Sequence, residues 1–174
     1  MTTNKRIRQY VGLLCAILSY YVIHEGAHLI YALATGTFKR INFIGLGVQI
    51  DVYAESMTDL QLGIFCLAGS VATLLAAYAL VLLSEKIGKS NSKPLLACAY
   101  YVIIAMLLID PLYLSVLCGF FGGGDMNGIS LLLPEVSARV IYGVILVLNV
   151  LVFVKIVLPK YKTFFTRLDN TEAV

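Results

Sequence analysis

Leu62–Leu83 contains no charged residue and is long enough to cross a bilayer as a helix, since a span takes about 20 apolar residues. In hydrocarbon the backbone N–H and C=O groups must be satisfied inside the segment, so a stretch of this kind folds as a transmembrane helix. Residues of about 11–34, 95–118 and 140–158 meet the same requirement. The third run holds one acid, Asp110, followed by Pro111. The fourth is apolar except for Lys155, whose long stem lets its ammonium snorkel to the interface. Composition agrees: 60% of the 174 residues are hydrophobic, only 13% are charged, and the mean hydropathy is +0.89. The sequence predicts an all-α polytopic membrane protein with about four transmembrane helices, forming a single domain over 1–174 with no second soluble domain.

Charge in the connecting segments sets the expected topology. Lys5, Arg6 and Arg8 precede the first span, Lys86, Lys89 and Lys93 join the second to the third, and Lys160, Lys162 and Arg167 follow the fourth. By the positive-inside rule these segments share the cytoplasmic side, which puts both termini in the cytoplasm. Segment 35–60 sets Lys39 and Arg40 against Asp51, Glu55 and Asp59, and segment 119–139 sets Arg139 against Asp125 and Glu135, so both belong on the far side. The basic residues are therefore a topology signal, not a nucleic-acid surface. The basic start resembles a signal peptide, but the apolar run behind it is too long for an h-region and lacks a small-residue cleavage site, so it reads as an uncleaved first span. Cys15, Cys66, Cys98 and Cys118 show no CxxC spacing and read as small core residues.

Within the first span lies His24-Glu25-Gly26-Ala27-His28, which holds both histidines of the chain. Charged and imidazole side chains are costly in a membrane, and there they mark function. Residues four apart on a helix stand on one face, so the two imidazoles can hold one metal ion. Glu25 can then act as general base on a water that the ion polarises. Two further segments stand out. In 37–53, Ile41 and Phe43 alternate before Gly45-Leu46-Gly47, and Val48, Ile50 and Val52 alternate after it. This pattern predicts a β-hairpin, or at least one strand, at the membrane surface. The segment 119–128 contains Gly122-Gly123-Gly124-Asp125, which cannot favour a helix. It reads as a glycine-rich site loop, irregular backbone of the kind that lines a cavity.

Depth brings these pieces together. From Val11 to His24 is about 20 Å of helix, roughly two-thirds of a ~30 Å hydrocarbon core. The histidines thus fall in the outer half, and Asp125 follows a span that ends on the same side. A catalytic zinc takes three protein ligands. The third can come from Asp125, Asp110, Glu135 or Cys118, and Asp125 is favoured because its loop can bring it to a helix face. Asp110 can instead accept a hydrogen bond from an imidazole N–H, or satisfy groups freed by Pro111. Asn127 can donate to a developing oxyanion.

These residues resemble the site-2 protease family of intramembrane zinc metalloproteases. The resemblance rests on His24-Glu25-Gly26-Ala27-His28 in an apolar span, on Leu67-Ala68-Gly69-Ser70 early in the second span, and on Gly123-Gly124-Asp125-Met126-Asn127-Gly128. Gly124 and Met126 stand where the family has the Leu and Gly of its Leu-Asp-Gly motif. The resemblance implies Zn²⁺ held by His24, His28 and Asp125, with Glu25 as base. It implies a membrane-anchored protein or membrane-associated peptide as substrate, positioned as an extended chain by strand-like segments near the site. The expected function is that of an intramembrane zinc endopeptidase. The alternatives are a zinc-binding membrane protein acting as an assembly or regulatory factor, and a small transporter.

Overall fold

The computed structural model describes residues 5–45 and 47–171. Four helices are long and apolar enough to cross a membrane, and a two-stranded sheet follows the first. In chain order they are α1 (Lys5–Ala34), β1 (Phe38–Ile44), β2 (Gly47–Val52) and α2 (Asp59–Gly88). Next come α3 (Lys93–Leu112), α4 (Cys118–Phe121), the short α5 (Asp125–Ile129), α6 (Glu135–Val152) and α7 (Leu158–Thr171). A wide π turn at Tyr113–Leu117 joins α3 to α4, so Lys93–Phe121 is one continuous rod. A second π turn at Phe153–Val157 joins α6 to α7 in the same way.

The helices pack through small residues, as helices without a hydrophobic drive between them do. The buried face of α1 is Gly12, Ala16, His24, His28 and Ala32, a stripe with four-residue steps. Side chains off that stripe, such as Val22 and Ile30, are 71% and 72% exposed, as a lipid-facing surface demands. A Cβ at Gly12 would come within 2.4 Å of the Tyr101 ring, so α1 lies close against α3. The buried face of α2 is similar, with Gly69, Ser70, Thr73, Ala77, Ser84 and Gly88. Its start is fixed by a capping box, in which Thr58 and Gln61 satisfy each other's backbone N–H groups.

Pro111 removes the N–H that the Leu107 carbonyl would accept one turn earlier. That carbonyl takes instead the amide of Asn149 on α6, at 2.6 Å, and the Asn149 side-chain oxygen accepts the Tyr78 hydroxyl at 2.6 Å. The groups freed by the proline are thus met by Asn149, and Asp110 is left for another role.

The expected hairpin is present, antiparallel, with Ile41 opposite Ile50 and Phe43 opposite Val48. Gly45 takes φ +60° at its turn, while Leu46 lies outside the described residues. A bulge between Phe38 and Arg40 shifts the register, and Arg40 pairs with Asp51 at 2.9 Å. Ile50 is buried with Ala32 and Phe65, which pins β2 against the helices.

The expected boundaries change in two places. The glycine-rich loop is confined to Gly122–Gly124, because helix resumes at Asp125. The segment after residue 158 is helical, since Tyr161, Phe164 and Leu168 recur at helical spacing and bury against the core. This extension brings the basic segments to one end of the bundle: Lys93 meets Asp169 at 2.7 Å, and Arg167 donates to the Gly88 carbonyl at 2.5 Å. Of the cysteines, Cys66 and Cys118 are buried, while the thiols of Cys15 and Cys98 face each other across α1 and α3 at 2.9 Å.

Candidate metal centre

The helical spacing of His24 and His28 brings their Nε2 atoms to 3.2 Å from each other. Each imidazole is fixed from behind. His28 Nδ1 donates to the Phe65 carbonyl at 2.8 Å, and His24 Nδ1 lies 3.3 Å from Asp110. Asp110 is itself held by the hydroxyls of Tyr20 and Thr73. With Nδ1 occupied as a donor, each ring offers a bare Nε2 to the common point between them.

Asp125 completes the group. Its Oδ2 lies 3.2 Å from His24 Nε2 and 3.5 Å from His28 Nε2. Three successive glycines with positive φ, Gly122 at +93°, Gly123 at +77° and Gly124 at +48°, turn the chain back toward α1. Side chains would strain this reversal, which is why the run is glycine. Gly128 then lets the short helix α5 settle on α2, where a Cβ would come within 2.3 Å of the Cys66 thiol. Burial opposes ionisation of the Asp125 carboxyl, but hydrogen bonds and charge from the two imidazoles outweigh it and hold the group below the usual carboxylate range.

The three ligand atoms fit a small divalent ion. Corners of a tetrahedron lie about 1.63 bond lengths apart, so bonds of about 2.0–2.1 Å separate ligands by about 3.3–3.4 Å. The observed separations are 3.2, 3.2 and 3.5 Å. Two imidazole nitrogens and one carboxylate oxygen suit zinc and other first-row divalent ions alike. Gly69 on α2 passes directly behind this group: a Cβ there would stand 2.6 Å from both His24 Nε2 and His28 Nε2.

Glu25 lies beside the three candidate ligands and is half-buried, its carboxylate accepting the Ile50 N–H at 3.2 Å. That contact orients β2. The Ile50 N–H points away from β1, so the main-chain groups of Val48 and Val52, two residues to either side, point the same way. The open edge of β2 therefore borders a cavity of about 280 Å³ whose floor is His24, Glu25, His28 and Asp125. A second cavity of about 410 Å³ reaches the same floor between α1 and α3, past Tyr20, Tyr21 and Tyr113.

The other ligand candidates are placed elsewhere. Cys118 donates its thiol to the Leu114 carbonyl at 3.3 Å, and Glu135 pairs with Arg139 at 2.9 Å. Asp110 is behind His24 and is not a third ligand in this arrangement. Asn127 is exposed, lies against Gly123 and lines neither cavity. Thr73, Tyr20 and the Phe65 carbonyl support the site without having been expected there. Thr73 carried a signal, being a polar residue in a charge-free span. The Phe65 carbonyl carried none, because a main-chain acceptor has no sequence identity.

Searches against protein-family models, curated proteins and solved structures found no match to this chain.

Proposed function

We propose that this protein is an intramembrane metalloendopeptidase of the site-2 protease type, hydrolysing a peptide bond in or near a membrane-spanning segment. One observation carries the reading: three ligand atoms at tetrahedral separations share a cavity with a carboxylate and with the open edge of a β-strand. Metal binding alone needs neither Glu25 nor the edge. A peptidase needs both.

His24, His28 and Asp125 would hold the ion, and zinc is the ion proposed. When bound, it supplies Lewis-acid polarisation of the peptide carbonyl and acidifies the attacking water. Glu25 takes the proton from that water and hands it to the leaving nitrogen, the usual sequence for a general base that becomes a general acid. A helical substrate hides its peptide bonds in its own hydrogen bonds. Paired to the outward main-chain groups of Val48 and to the Ile50 carbonyl, beside the Ile50 N–H that Glu25 already takes, it would be held extended with the scissile bond presented to Glu25. The cavity between α1 and α3 would admit a membrane-anchored chain from within the bilayer. The basic end of the bundle, where Lys93 meets Asp169 and Arg167 meets Gly88, is assigned to the cytoplasm by the positive-inside rule.

The test is co-expression of the full chain with membrane-anchored candidate substrates, comparing wild type with Glu25→Gln. The expected result is cleavage by wild type and none by the variant, with metal retained in both. Cleavage that persists in Glu25→Gln overturns the mechanism. Metal without turnover in wild type, across substrates, favours the assembly or regulatory reading instead.

A further inference from the structure

At the end of the bundle remote from the histidines, a cavity of about 360 Å³ opens between the start of α1, α3 and α7. Lys5 and Arg8 reach it from α1 and Lys162 from α7, over walls formed by Tyr100, Tyr101 and Phe165. None of these three cations has a hydrogen-bond or ion-pair partner among the described residues. The acid at the rim, Asp169, is held by Lys93 at 2.7 Å. Three like charges from two helices converge on one concavity, and the one acid there, Asp169, which acts electrostatically on Lys5 and Arg8 as well as pairing with Lys93, leaves positive charge in excess.

The surface next to this cavity narrows the kind of anion. One turn further along each helix, Leu13 succeeds Gln9 and Ala105 succeeds Tyr101, on the same sides of α1 and α3. There a second cavity begins, an apolar groove of about 420 Å³ lined by Leu13, Ile17, Tyr20, Ala105 and Ile109. From Arg8 to Tyr20 is about 18 Å of helix, close to the ~15 Å half-thickness of a hydrocarbon core. A charged pocket at one end of the bundle is thus followed, one turn further along α1 and α3, by a separate apolar groove.

We infer that the α1–α3–α7 pocket binds the phosphate of an anionic phospholipid, with one acyl chain in the groove between α1 and α3. Lys5, Arg8 and Lys162 surround the phosphodiester, and basic pockets between transmembrane helices recognise such headgroups by charge. The groove gives the lipid an advantage over a free phosphate compound, which would fill only the charged half. This site is independent of the chemistry at His24 and His28. It does share Tyr20 with the cavity between α1 and α3 that reaches the metal centre, so the acyl tail and an incoming substrate approach the same place.

The experiment uses the full chain, purified in detergent, and native mass spectrometry after exposure to phosphatidylglycerol or phosphatidylcholine of identical chains. Phosphatidylglycerol is expected to be retained at least tenfold better. Each surface cation near an anionic headgroup is worth about fivefold, so Arg8→Gln with Lys162→Gln should weaken retention by about 25-fold. Lys39→Gln, an exposed cation on the hairpin, should change nothing. Millimolar inorganic phosphate should not displace the lipid. Equal retention of the two lipids, or an unaffected double variant, overturns the site. Displacement by inorganic phosphate overturns the assignment to a lipid.

Discussion

Gly69→Ala adds one methyl group on a helix that supplies no candidate ligand, yet it should sharply weaken the proposed metal centre. The new Cβ would stand 2.6 Å from the Nε2 atoms of both His24 and His28, whereas ordinary contact begins at 3.4 Å. About 0.8 Å must be found, by moving α2 away or by turning both rings. Metal sites tolerate ligand errors of about 0.2 Å, so either response breaks the geometry. Displacing groups that orient ligands typically lowers metal affinity about 10–100-fold, and here both imidazoles are displaced at once, so a loss of about 100-fold is expected. The fold should survive, because alanine is favoured over glycine by about 1 kcal/mol in a helix interior, and overpacking costs about 1–3 kcal/mol. Gly26→Ala is the control. It lies inside the histidine motif, but its Cβ meets nothing within 4 Å. Metal affinity of the purified variants is measured by competition with a chromogenic chelator, and folding by circular dichroism. If Gly69→Ala binds metal as tightly as wild type, the proposed arrangement of the two imidazoles is wrong.

Two further substitutions probe the supports of the site and of the bundle. Asp110→Asn removes the anionic acceptor behind His24 Nδ1, and metal affinity in the same chelator assay should fall by about 10–100-fold while Glu25 is untouched. Asn149→Leu strands the Leu107 carbonyl and the Tyr78 hydroxyl, both of which Asn149 satisfies. Leaving the buried Leu107 carbonyl unpaired costs about 1–3 kcal/mol, so a lower thermal unfolding midpoint is expected, with metal stoichiometry unchanged.

Hydrophobic length made the four spans legible, because hydrocarbon permits few backbone solutions. Alternation about Gly45 and Gly47 made the hairpin legible, and helical spacing placed His24 and His28 on one face. Asp125 was reached through topology, since its loop had to lie at the same end of the bundle as the histidines. The role of the three glycines before it was not legible. Their composition suggested a loose loop, but their positive φ values form a tight reversal into a new helix. The dual environment of Asp110 and Pro111 was also unresolved in sequence. Either reading suited an acid beside a proline, and only the position of Asn149 on a distant helix decides between them. The helix past residue 158 was missed because its mean polarity resembles a tail, while its buried face consists of a few widely spaced residues.

Whether His24, His28 and Asp125 hold one metal ion can be measured on the full chain purified with metal present, by metal analysis and X-ray absorption at the metal edge. One ion per chain is expected, with two imidazole nitrogens and a carboxylate oxygen at about 2.0–2.1 Å. Asp125→Ala should lose that ion. A chain that takes up no stoichiometric metal, or an ion whose ligands include sulfur from Cys66 or Cys118, contradicts the assignment.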